Sequence, residues 1–288
     1  AIIGDKYILV EESKKHPYSK GYRYGAGEAF LVAKPGSLLE IWKILEICIN
    51  NDFIVLMQAA NTGLTGGSTP EGGNYDRPIV IVNTMRIDDI QIIDNGNQII
   101  GFAGSTLFGL ENKLASYGRE PYSVIGSTSI GASIVGGICN NSGGSLIKRG
   151  PAYTELSLYA QLDENGELLL VNDLGIDLGE TPEEILTNLQ NGKYTEAQIQ
   201  FPDKLASDNE YEERVRDINA DSPARFNADE RRLYGASGSA GKIVVFAVRV
   251  DTYPAAKRTK VFYVGTNDPD VLWQLRRDIL SQFKNLPT

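Results

Sequence analysis

The stretch Phe53-Ile-Val-Leu-Met57 followed by Gln58-Ala-Ala-Asn-Thr-Gly63-Leu-Thr-Gly66-Gly67-Ser68-Thr-Pro70 decides the reading of this 288-residue chain. Five apolar residues in a row are what a strand buried on both faces needs, and this strand runs directly into a loop of glycines and hydroxyls. Upstream, Phe30-Leu-Val-Ala33 reads as a strand stopped by Pro35-Gly36. Ser37 then caps a helix with Leu38, Ile41, Leu45 and Ile49 at helical spacing. Downstream, Ile79-Val-Ile-Val82 is a third strand. Strand, helix, strand, loop, strand predicts a small α/β unit with a parallel pair.

Past residue 88 the pattern changes to short strands and turns. Ile90–Ile93 and Gln98–Phe102 flank Asn95-Gly96, and Leu156–Leu162 and Leu168–Val171 flank Asn165-Gly166, so each pair reads as a hairpin. Thr106 and Thr181-Pro182-Glu183-Glu184 are helix starts. Residues 190–232 are polar and charged, the signature of a solvated excursion. Lys242–Val250 is a strand, and Val261–Val264 reads as another before a helix carrying Val271, Leu272, Leu275 and Ile279. Pro254 and Lys257-Arg258 place a domain boundary near residue 255.

Bulk composition mainly excludes functions. With 28 Lys and Arg against 37 Asp and Glu the net charge is −9, and no basic run exceeds two residues, so nucleic acid is not an expected partner. Cys48 and Cys139 are too far apart for a CxxC motif and sit among apolar residues, which favours two reduced, packed thiols over a disulfide. The apolar stretch near Ile41–Ile49 is broken by Lys43 and Glu46, too short and too charged for a bilayer. The chain opens on Ala1 and stops at Asn285–Thr288 just after a helix-like segment, and it reads as a fragment.

Glycine carries the positive signal. Of 30 glycines, 12 fall in two windows, 63–73 and 126–150, while the rest of the chain has an ordinary share. Glycine-rich loops after buried strands let consecutive backbone N–H groups converge on an oxyanion. The Rossmann fingerprint is absent: the Gly25/Gly27 pair is followed at the third position by Phe30. So is the P-loop, since Gly241-Lys242 is followed by Ile243 and preceded at the required spacing by Ala236. Neither window holds a Lys or Arg before Lys148, so a bound diphosphate would rest on backbone N–H, Ser, Thr and Asn groups. Two such windows suit a dinucleotide lying between two subdomains.

The series Pro35-Gly-Ser37, Gln58–Gly63 with Gly66-Gly-Ser68, Gly126–Gly144 and Gly241-Lys-Ile-Val-Val245 resembles the FAD-binding domain shared by vanillyl-alcohol oxidase and p-cresol methylhydroxylase relatives. Longer runs, including Gly136–Ser145, Arg149–Glu155 and Leu174–Pro182, are similar to the respiratory, quinone-dependent D-lactate dehydrogenase branch of that superfamily. The resemblance implies an α+β, two-subdomain fold, with a small α/β N-terminal subdomain and a second mixed or antiparallel β subdomain flanked by helices. It divides the chain into a FAD-binding domain over 1–255, with subdomains 1–88 and 89–255, and the truncated start of a substrate-covering domain over 256–288. Residues Ala59, Ala60, Asn61, Thr62, Gly63, Gly67 and Ser68 would wrap the FAD diphosphate. Gly126, Ser133 and Gly143 would line the cofactor, and Val245 would contact it through its backbone.

The implied activity is oxidation of D-lactate to pyruvate with electrons passed to quinone, on the cytoplasmic face of the bacterial inner membrane, docked through a segment outside this chain. FAD is expected to be noncovalent, because the first window holds no histidine and His16, the only one, lies far upstream beside Pro17. The catalytic base and carboxylate ligands are expected beyond Thr288, and this fragment alone is expected to be inactive. Arg119 and Arg225 are candidate anion ligands for which ordinary surface salt bridging is the plainer expectation. Alternatives are another 2-hydroxy acid such as glycolate, an NADPH-dependent reductase of a nucleotide sugar, or a noncatalytic nucleotide-binding module. A metal site is not expected: a single histidine excludes His-based zinc.

Overall fold

The computed structural model describes residues 2–122, 128–143, 146–226 and 229–287. In chain order, the first unit contains β1 (Ile8–Leu9), α1 (Glu12–Ser19), β2 (Leu31–Ala33), α2 (Leu38–Asn50), β3 (Ile54–Gln58) and β4 (Ile79–Asn83). These strands form one sheet in the order β1-β2-β4-β3, with β2 and β3 both parallel to β4 and β1 antiparallel to β2. Helix α2 is the crossover that parallel pairing requires, and Ser37 starts it by accepting from the Glu40 N–H.

The order corrects one expectation. β4 is the strand buried at every residue, whereas β3 is only partly buried until Gln58, because β4 takes the central place and leaves β3 on the edge.

The second unit contains β5 (Ile90–Ile93), β6 (Gln98–Phe102), α3 (Leu107–Ala115), β7 (Arg119–Glu120), α4 (Ile134–Cys139), β8 (Ser157–Leu162), β9 (Leu168–Asn172), α5 (Pro182–Gln190), α6 (Tyr211–Arg216), β10 (Val244–Asp251) and β11 (Tyr253–Pro254); α7 (Pro269–Gln282) follows. Its five-stranded sheet, β5-β6-β10-β8-β9, is antiparallel throughout. One face packs against α2 and α5, with Leu38, Ile41, Phe102, Leu158, Leu186 and Phe246 at the centre. The other face packs against α3 and α4 through Leu110, Leu114, Ile134, Ile138, Val245 and Val248.

Helix α2 joins the two units. Ile44 and Cys48 pack on the first sheet, while Leu38, Ile41, Trp42 and Leu45 pack into the core of the second. Burying each of these aliphatic side chains contributes on the order of 2 kcal/mol, so the joint is a core rather than a linker.

Two further expectations are corrected. Residues 261–264 form no strand, and their side chains are exposed, up to 97% for Tyr263, because no described strand pairs with them. The excursion over 190–232 is not merely solvated. Asp208, with a fully buried side chain, accepts from Arg214 and Arg232 at its centre, and Arg232 also pairs with Glu210.

Candidate functional site

β3 ends in Gln58, a buried amide that closes the apolar run. Its Nε2 donates to the carbonyls of Tyr18 (2.8 Å) and Ser68 (2.9 Å), and its Oε1 accepts from Asn83 (3.2 Å). These bonds fold residues 59–68 back over the C-terminal end of β3, the end of a parallel strand where α/β folds bind ligands. Asn61 takes a left-handed φ of 53°, donates to the Lys20 carbonyl and accepts from the Ser68 hydroxyl, so Asn61 and Ser68 brace the two arms of the loop.

Inside that brace, the backbone N–H groups of residues 60–68 donate to no described residue. Gly63 and Gly67 have neither a positive φ nor a close neighbour: a Cβ on Gly63 would meet nothing within 4 Å, and one on Gly67 only Thr65 Oγ1 at 4.0 Å. The protein's own packing therefore does not require glycine at either position. A ligand lying against the main chain would.

The second window is built differently. Ser133 caps α4 by accepting from the Gly136 N–H at 3.1 Å, and its backbone bridges to Thr106. Here Gly131 has open space but a positive φ of 83°, which the backbone itself reserves for glycine, and three further glycines are filled by protein. A Cβ on Gly136 would lie 2.6 Å from Ser133 Oγ, on Gly137 3.0 Å from Tyr122 Oη, and on Gly143 2.9 Å from Pro151 Cα. Gly126 lies outside the described residues. Val245 is 5% exposed with its side chain in the core beside α4, and a register shift follows it in the β8–β10 ladder, so only its backbone can face a ligand.

A continuous hydrogen-bonded path ties the two windows together. Past β4, the Thr84 N–H donates to the Gln58 carbonyl (2.8 Å) and its Oγ1 to the Ala103 carbonyl (3.0 Å). Two residues on, the Ser105 carbonyl accepts from the Ile134 N–H (2.9 Å), at the first turn of α4. The ends of β3, β4 and β6 and the start of α4 thus share one junction. Gln58 and Thr84 were not singled out by the sequence reading, although a lone amide ending an apolar run is a usable signal for Gln58. Gly25 and Gly27, noticed only as a failed fingerprint, lie behind the first window: a Cβ on Gly25 would be 2.2 Å from Thr69 Oγ1, and one on Gly27 2.4 Å from the Gly72 carbonyl.

The junction offers backbone donors without acceptors among the described residues and no activated thiol or imidazole. Burial pushes the Cys139 thiol up, and it pushes Cys48 up to about 11, so both stay protonated near neutral pH. His16 is exposed on α1. Neither Arg119 nor Arg225 forms a salt bridge among the described residues, contrary to the plainer expectation. Arg119 donates to Thr252, and Arg225 donates to the Asn141 carbonyl. No metal-ligating cluster occurs among the described residues. The surface concavity of about 430 Å³ beside Asp89, Gln91 and Tyr194 is lined by neither window.

The residues present fit a dinucleotide: backbone donors with no acceptor among the described residues, two glycines whose missing side chains leave open space, and a loop without an acidic side chain over residues 59–70 that would repel a diphosphate. Comparison with known proteins agrees. The family described as "FAD binding domain" matches residues 29–171, and that described as "D-lactate dehydrogenase, membrane binding" matches residues 261–288. The chain is 58% identical over 286 residues to a quinone-dependent D-lactate dehydrogenase of Haemophilus influenzae, covering 99% of this chain and 51% of that protein. It is 54% identical to the protein of the same description from Escherichia coli, covering 99% and 50%. The chain therefore spans about half the length of these relatives. Among solved structures, p-cresol methylhydroxylase with substrate bound aligns with a TM-score of 0.54 at 13% identity, covering 89% of this chain and 42% of that one, a likeness of fold.

Proposed function

Because the chain belongs to the FAD-binding family that includes the quinone-dependent D-lactate dehydrogenases, we propose that it is the cofactor-holding half of an enzyme that oxidises D-lactate to pyruvate and passes the electrons to quinone. The observation that carries this reading is the first window: nine consecutive backbone N–H groups, residues 60–68, with no acceptor among the described residues, arched over the end of a parallel strand. In this reading Ala59, Ala60, Asn61, Thr62, Gly63, Gly67 and Ser68 hold the diphosphate through main chain and hydroxyls, and Ser133, Gly143 and Val245, with Gly126, line the rest. FAD, when bound, supplies the two-electron acceptor that none of the chain's own side chains provides.

Residues 59–73 contain no His, Cys or Tyr, so the cradle offers no side chain for covalent attachment, and FAD is held noncovalently. The catalytic base is not assigned to any residue of this chain. The same reading makes 1–255 the FAD-binding domain, with subdomains 1–88 and 89–255, and 256–288 the opening of the substrate-covering domain. Association with the membrane is peripheral: among the described residues no helix is long and apolar enough to cross a bilayer, and the membrane-binding family match begins at residue 261. The cytoplasmic face of the inner membrane is the proposed location.

The decisive test is anaerobic addition of D-lactate to the FAD-loaded full-length protein, with glycolate and NADPH as comparators. Bleaching of the flavin absorbance by D-lactate alone is expected. Bleaching by glycolate or NADPH instead would select an alternative reductant, and no bleaching by any of them would leave a nucleotide-binding module.

The cradle itself is tested by Gly63→Ala. Since the new methyl group meets no protein atom and φ is not positive, the apo-protein's melting temperature should stay within about 2 °C, a surface-like change. FAD affinity, read by quenching of flavin fluorescence, should fall at least about tenfold, the cost of displacing a close main-chain contact by roughly 1.4 kcal/mol.

A further inference from the structure

The segment between Tyr211 and Arg232 contains five arginines. Four of them are ion-paired: Arg214 with Asp208 and Glu210, Arg216 with Glu212, Arg231 with Asp229, and Arg232 with Asp208 and Glu210. Arg225 has no carboxylate partner among the described residues, although it is partly buried and the segment around it is rich in acids. Its Nη1 donates to the Asn141 carbonyl at 3.2 Å, and its Cδ lies 3.2 Å from where a Cβ on Gly143 would stand. The guanidinium is thus drawn away from the acids and held at the second glycine window.

A partly buried guanidinium with one neutral acceptor among the described residues keeps N–H groups and its charge free for water or an anion, and an anion completes it best. Asn141, whose carbonyl holds this guanidinium, is itself firmly placed; its one open valence is an acceptor, which suits an O–H or N–H of a ligand rather than the oxyanion. It is 2% exposed, takes a left-handed φ of 46° and donates to the Arg232 carbonyl, yet its Oδ1 has no partner among the described residues. The Asp208–Arg232 pair on which Asn141 leans is itself buried, so the two residues are fixed from behind. A planar fork suits an oxyanion, whether carboxylate or phosphate.

We propose that Arg225 is an oxyanion ligand at the second glycine window, held in place by Asn141 and completed by either the diphosphate of FAD or the carboxylate of the 2-hydroxy acid. The inference rests on the proposed function and names a cation that this part of the chain supplies to it. A structural role alone gives no reason for the residue to stand apart from four paired neighbours.

The test uses full-length protein, unsubstituted and as Arg225→Gln and Arg225→Lys. Because no ion pair is lost, both variants should melt within about 2 °C of the unsubstituted protein; Arg225→Lys, which keeps the charge, serves if the glutamine variant does not fold. FAD and riboflavin are titrated into apo-protein by fluorescence quenching, and oxalate, an unreactive carboxylate, into FAD-loaded protein by its perturbation of the flavin spectrum. If the diphosphate is the partner, Arg225→Gln weakens FAD at least tenfold and leaves riboflavin unchanged. If the substrate carboxylate is the partner, FAD binding is unchanged and oxalate weakens at least tenfold. In either case Arg225→Lys recovers part of the loss. FAD and oxalate binding both within twofold of the unsubstituted protein would overturn the assignment while leaving the proposed function standing. An unsubstituted protein that takes up no FAD would overturn both.

Discussion

A Gly104→Ala protein should unfold roughly 6–12 °C earlier than the unsubstituted one and lose at least tenfold in FAD affinity. The Cβ would stand 2.2 Å from the Thr84 carbonyl oxygen and 3.0 Å from that of Ile87. Both are backbone atoms, so no rotamer change relieves the clash. The Gly104 N–H already donates to the Ile87 carbonyl at 2.8 Å, and Thr84 Oγ1 donates to the adjacent Ala103 carbonyl. Relief therefore means separating the end of β4 from the end of β6. Forcing one methyl group into such a site costs about 3 kcal/mol. The affinity loss follows because the path from Gln58 through Thr84 and Ser105 to Ile134 is what holds the two windows in one frame. Calorimetry and fluorescence titration read the two effects. Gly104→Ala should change both, whereas Gly63→Ala should change affinity alone, and that contrast separates a glycine required by the fold from one required by a ligand. A Gly104→Ala protein with an unchanged melting temperature would refute the junction.

Asp208→Asn is the other change expected to be large. The Asp208 side chain is fully buried; its oxygens accept from Arg214 Nη2, from Arg232 Nε at 3.0 Å and Nη2 at 3.2 Å, and from the Glu210 N–H at 3.1 Å. An amide removes the charge that neutralises two guanidinium groups and turns an N–H₂ toward one of them. Breaking a buried pair from one side costs about 3 kcal/mol or more, because the opposite charge remains buried. Chemical denaturation should show that loss with little dependence on salt, since buried pairs are weakly screened. Glu210→Gln is the control. Its carboxylate is 59% exposed, and its loss should cost less than about 1 kcal/mol. Equal effects from the two substitutions would mean that the network is no more than a surface one.

Both predictions concern residues on which the linear sequence is nearly silent. Gly104 is one glycine outside the two windows, and Asp208 is one acid in a stretch that reads as solvated. Neither its clash partner, 20 residues away in sequence, nor its pairing with Arg232 leaves a local pattern. The same holds for Arg225, whose isolation is visible only once its four neighbours have been seen to be paired.

What the sequence determined by itself is the local chemistry. The apolar run into Gln58, the caps at Ser37, Thr106 and Thr181, and the hairpin turns at Asn95-Gly96 and Asn165-Gly166 are short-range signals, because capping and turn geometry depend on residues a few positions apart. The family followed from the same windows. Only the tertiary structure decided which strand is central, because burial depends on what packs against both faces, and β4 rather than β3 takes that place. Only it denied Val261–Val264 a sheet, since a strand needs a partner as well as a propensity. It also divided the glycines of the two windows into two kinds. Those at Gly136, Gly137 and Gly143 make room for protein atoms brought in from elsewhere in the chain, while Gly63 and Gly67 face open space at the mouth of the first window. Sequence counts them alike, because the difference lies in what surrounds a missing Cβ, and that is set by the fold.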